Sequence, residues 1–97
     1  MPHKGPHVSI SAAFVVNRIL RINLDEYENW PDAVRELAAE IAEELFLVAY
    51  NPFISPATVK ASVDARFRQE SQALAHQYAT SIGEGITMFW SAYDAEA

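Results

Sequence analysis

From Val34 to Val48 the apolar residues Val34, Leu37, Ala38, Ile41, Leu45 and Val48 recur every three or four positions. That period matches the turn of an α-helix and gathers these side chains on one face. An apolar face of this length has to be buried, so the rest of the chain must supply elements that cover it. Pro31 suits the first turn of such a helix, and Asn51-Pro52 ends it. The spacing therefore predicts a helix over residues 31–50. Its opposite face carries Asp32, Glu36, Glu40 and Glu43, with Glu44 at the edge.

That face dominates the charge of the molecule. Eight of the 13 acidic residues lie between Asp25 and Glu44, against the single base Arg35. The stretch carries net −7 in a chain of net −6, which leaves +1 for everything else. A solvated helix usually sets Lys or Arg four residues after its Glu; here Glu36, Glu40 and Glu44 repeat one sign at that spacing. The bland reading is the wet side of an amphipathic helix. The functional reading is a docking face for a basic partner, or a mimic of nucleic-acid charge.

No glycine or proline occurs from Ala57 to Ile82, and Val59, Val63, Phe67, Leu74, Tyr78 and Ile82 keep a helical spacing. Ser55-Pro56 opens a helix, and Gly83-Glu84-Gly85 reads as its terminator. The expectation is one helix over 56–82, about 40 Å long. A shallow stripe of Ala57, Ala61, Ala75 and Ala79 would admit another helix closely.

Residues 8–24 alternate: Val8, Ile10, Ala12, Phe14, Val16, Leu20, Ile22 and Leu24 against Ser9, Ser11, Asn17, Arg21 and Asn23. Period two with β-branched residues predicts strand, as a hairpin near Asn17-Arg18; a helix through 11–24 is the alternative. The stretch from Ile86 to Tyr93 is apolar on both faces and reads as a strand completing the sheet, or as a short docked helix. The expected fold is α+β, with two long antiparallel helices on a small antiparallel sheet from residues 8–24 and 86–93. An all-α bundle is the runner-up. Ninety-seven residues make a single domain, with residues 1–7 as an extended arm.

Chemistry is scarce in this sequence. There is no cysteine, and His3, His7 and His76 form no ligand pattern. No serine sits in a nucleophile-elbow context, and Gly83-Glu84-Gly85 is too short and too acidic for a phosphate loop. Neither an enzyme nor a bound cofactor or metal is expected; a small enzyme with no recognisable motif is the remaining alternative. Net negative charge argues against direct nucleic-acid binding. The apolar runs Ala12–Val16 and Leu45–Tyr50 are too short to span a bilayer, which takes about 20 residues.

The function expected is therefore interaction, as a structural subunit of an oligomer in the cytoplasm or within a virion. Its size and acidity suit an accessory protein of a virus or mobile element. Asp32, Glu36, Glu40, Glu43 and Glu44 are the candidate partner-binding residues, for a protein with a basic surface. Phe89, Trp90 and Tyr93 are candidates for self-association, because a two-faced aromatic tail is either deep core or subunit contact. Arg18 with Arg21, or Arg66 with Arg68, are the basic groups another copy would offer to the acidic face. The competing expectation is an acidic inhibitor that occupies a basic groove.

Overall fold

The computed structural model describes the chain from Ile10 to Glu96. It is 85% helical, and no strand occurs among the described residues. The expected sheet is overturned and the all-α bundle stands in its place. Among the described residues five α-helices follow in order: α1 (Ile10–Leu20), α2 (Leu24–Glu28), α3 (Asp32–Tyr50), α4 (Pro56–Glu70) and α5 (His76–Glu96). The arm at residues 1–7 and the first two positions of the expected strand lie outside the described residues.

The alternation in residues 8–24 misleads because a second period is hidden in it. Ala12, Ala13, Val16, Ile19 and Leu20 are the residues buried on α1, at spacings of one, three and four. Phe14, in phase with the strand pattern, faces solvent. At the end of the helix Arg21 takes the left-handed conformation, φ 59°, and its N–H donates to the Asn17 carbonyl at 3.0 Å. The Asn17 amide donates to the Ile22 carbonyl at 2.9 Å and fixes the corner. Asn23 then caps α2 by accepting from the Asp25 and Glu26 N–H groups. Despite its polar and acidic side chains, this short segment is a helical turn that buries Tyr27 and leads to buried Trp30.

α3 forms where the periodicity predicts it and buries the expected face. The single helix expected over 56–82 is broken. A 3₁₀ turn at Ser71–Ala73 and an extended Leu74 reverse the chain between α4 and α5. Conversely, Gly83-Glu84-Gly85 does not stop a helix; it lies inside α5. An ideal Cβ at Gly85 would stand 2.5 Å from the Leu20 carbonyl oxygen. Gly85 is therefore the point where α1 meets α5 backbone to side chain, with no room for a methyl group.

Side-chain pairs fix the directions of the helices. Arg66 of α4 reaches Glu40 and Glu44 of α3. The Lys60 ammonium lies 5.3 Å from the Trp90 ring centre, and Phe67 faces Gly83. α4 accordingly runs antiparallel to both α3 and α5. Trp30 meets Tyr78 at one end, while Tyr50 and Tyr93 share a depression at the other, so α3 and α5 run parallel. The core sits between α1, α3 and α5, around Val16, Leu20, Ile41, Leu45 and Ile82.

Candidate interaction surface

The solvent face of α3 is a single stripe with two chemical halves. Asp32, Glu36, Glu40 and Glu43 occupy its first part, and Leu47 and Tyr50 continue the same line, with Phe46 beside them. The turn after α3 extends the apolar end. Asn51 leaves the helix in an extended conformation, and its side-chain oxygen accepts from the Phe53 N–H at 2.9 Å. That arrangement holds the Phe53 side chain outside the fold, 93% exposed. Tyr50 is 55%, Leu47 48% and Phe46 38% exposed, and the Phe46 and Tyr50 rings are 4.5 Å apart.

The acidic half is less naked than the sequence implies. Arg35 pairs with Asp32 one turn back. Arg66, expected to serve a second copy, bridges Glu40 at 2.6 Å and Glu44 at 3.4 Å within its own chain. Half-exposed pairs of this kind contribute little stability, but they remove two carboxylates from the free face. Glu36 and Glu43 remain, with no cation at bridging distance among the described residues. Arg68 is exposed on α4 and joins no ion pair among the described residues.

Arg18 and Arg21 lie elsewhere, at the aromatic end. With Tyr50, Phe89, Tyr93 and Glu96 they line an open depression of about 360 Å³. Both are exposed, and neither pairs with a carboxylate among the described residues. Of the aromatic tail, Phe89 and Trp90 are buried and belong to the core; Tyr93 is half-buried and stacks on Phe89 at 6.0 Å. Phe89 and Trp90 therefore supply packing, and the exposed aromatic residues that lie together are on α3 and its following turn, with Phe14 exposed separately on α1. Sequence reasoning missed Phe46, Leu47, Tyr50 and Phe53. The signal was present: Leu45 to Tyr50 is a continuous apolar run, wider than one helix face can bury.

Tyr27 ties this stripe to the fold beneath. Its hydroxyl donates to the Arg35 carbonyl at 3.3 Å. Burial pushes the phenol above its ordinary value; the Arg35 charge opposes the shift and the Glu43 charge adds to it.

Among the described residues no group of three or more His, Asp or Glu is placed to hold a metal ion. His76 is exposed and shares a hydrogen bond with the Thr80 hydroxyl at 3.2 Å. No described helix is long and apolar enough to cross a membrane. Comparison with protein-family models, with curated proteins and with solved structures finds no match to this chain.

Proposed function

We propose that the chain acts without catalysis, as a self-associating interaction subunit whose contact surface is the aromatic end of α3. The observation that carries this reading is the joint exposure of Phe46, Leu47, Tyr50 and Phe53 on one helix end and its turn. Scattered apolar residues on a surface are ordinary, but a contiguous group rich in Phe and Tyr is the composition of interface centres. Fully burying a side chain of this size yields about 1.5–3 kcal/mol. Covering four such partly exposed groups from each of two copies yields on the order of 10 kcal/mol. Association costs roughly 4–15 kcal/mol, so apolar contact alone gives a marginal complex.

The competing reading, an acidic ligand for a basic groove, rests on Glu36 and Glu43 once Arg66 covers Glu40 and Glu44. It has less free charge to work with than the sequence suggests.

Light scattering after size-exclusion chromatography tests the proposal. The wild-type chain is expected at twice its 10.8 kDa mass or more. A Phe46→Ser, Tyr50→Ser, Phe53→Ser variant is expected at the monomer mass with an unchanged far-UV CD spectrum. A wild-type chain that stays monomeric from micromolar to millimolar concentration overturns the reading.

A further inference from the structure

We propose that two copies pair through α3 about a two-fold axis, antiparallel, so that Arg18 and Arg21 of each copy meet Glu36 and Glu43 of the other. The proposal rests on the self-association reading above and adds the identity of the partner surface.

The solvent stripe of α3, from Asp32 to Tyr50, is about 27 Å long at 1.5 Å per residue. One half is acidic and the other apolar, with two arginines beside the apolar half. A parallel pairing would lay carboxylate on carboxylate. Rotation by 180° across the stripe lays each acidic half on the other copy's aromatic and basic half. With the axis near Leu45, toward the C-terminal end of the helix, Leu47 of each copy comes beside Glu43 of the other, and Tyr50 beside Glu40. The arginines flanking Tyr50 then stand within side-chain reach of the partner's acidic half.

The free charges are also opposite in sign. After internal pairing, Glu36 and Glu43 are the α3 carboxylates without a cation among the described residues. At the opposite end Arg18 and Arg21 make no ion pair among the described residues, although Glu96 lines the same depression, so two positive charges stand there against one negative. Within one copy the two sets do not satisfy each other: by helical rise Glu36 lies about 21 Å and Glu43 about 10 Å from Tyr50, and neither pairs with Arg18 or Arg21. A two-fold places both sets together twice over.

Arg21 supplies an independent observation. Its left-handed backbone suits glycine, and an arginine there holds a strained conformation, φ 59°. The corner of the chain needs only the backbone at this position. The residue is exposed and lines the depression together with Tyr50, Tyr93 and Glu96.

Charge exchange between copies is the test, read by native mass spectrometry and sedimentation velocity. An Arg18→Glu, Arg21→Glu chain and a Glu36→Arg, Glu43→Arg chain are each expected to dimerise at least about tenfold more weakly than wild type. Mixed together, they are expected to form a one-to-one heterodimer, because each new charge then faces its opposite in both symmetric contacts. Should the Arg-to-Glu chain fail to fold, Arg18→Gln with Arg21→Gly serves instead. That variant is expected to melt no lower than wild type while its dimer weakens and loses salt dependence. Dimers indifferent to both reversals, or reversed chains that do not recognise each other, overturn the pairing while loss of the dimer in the triple serine variant leaves self-association standing. A monomeric wild type overturns both.

Discussion

The two glycines of α5 sit two residues apart and do opposite work. An added Cβ at Gly85 meets the Leu20 carbonyl oxygen at 2.5 Å and the Leu20 Cβ at 2.9 Å, and backbone cannot step aside cheaply. At Gly83 the nearest atom is the far end of the half-buried Phe67 ring, at 3.2 Å. Alanine gains about 1 kcal/mol of helix propensity at either site. Overpacking costs roughly 1–3 kcal/mol where the neighbour is fixed. Gly83→Ala is therefore expected to raise the melting temperature, and Gly85→Ala to lower it, in the same thermal scan; equal shifts at both sites would contradict the close approach of α1. Tyr27 makes a residue-scale prediction about pH. Its folded value lies above the ordinary tyrosine value, so the folded state keeps the proton after the unfolded chain has lost it. Its contribution is complete below about pH 10, the unfolded value, and is lost as pH rises through the higher folded one. Chemical denaturation at a series of alkaline pH values is expected to show stability falling above about pH 10, and Tyr27→Phe to flatten that fall.

At the scale of elements, legibility follows how many signals agree. α3 is plain in the sequence because period, composition and both ends point the same way, from Val34 to Val48 and from Pro31 to Asn51. α1 is not, because Val8 to Leu24 satisfies a period of two while Ala12, Val16, Ile19 and Leu20 satisfy a period near 3.6. β-branched residues tip local propensity toward strand, and tertiary burial then decides for helix. The break after α4 carries no glycine or proline, so nothing local announces it. It exists because α4 and α5 pack antiparallel and the chain must reverse between them. Gly83-Glu84-Gly85 looks like a terminator for the same reason in mirror image: a glycine needed for close packing is indistinguishable, in one sequence, from a glycine needed for a turn. The acidic stripe was legible as charge. Its partial neutralisation by Arg66 was not, since a pairing across 26 positions depends on how α4 is laid on α3.

For the whole molecule, the parallel course of α3 and α5 imposes a return path, and α4 is that path. The helices of the core bury large side chains from several turns. α4 contributes one buried residue, Val63, with half-buried Val59 and Phe67 around it. Its ion pairs to α3 and from Lys60 to Asp64 are solvent-exposed in part and add little. An element with so few buried apolar groups opens at a lower free energy than the core it lies on. Native-state hydrogen exchange is expected to show the amides of α4 exchanging through a local opening, while the middle of α3 and of α5 exchange only on global unfolding. Val63→Ala removes about 2 kcal/mol of burial and packing. If α4 is separable, the loss appears almost wholly as faster exchange in α4, with the core amides nearly unchanged. A uniform fall in protection across α1, α3 and α5 would instead mean that the returning helix is part of one cooperative unit. In the first case opening of α4 also withdraws Arg66 from Glu40 and Glu44, so the free negative charge on the α3 stripe rises when the helix lifts.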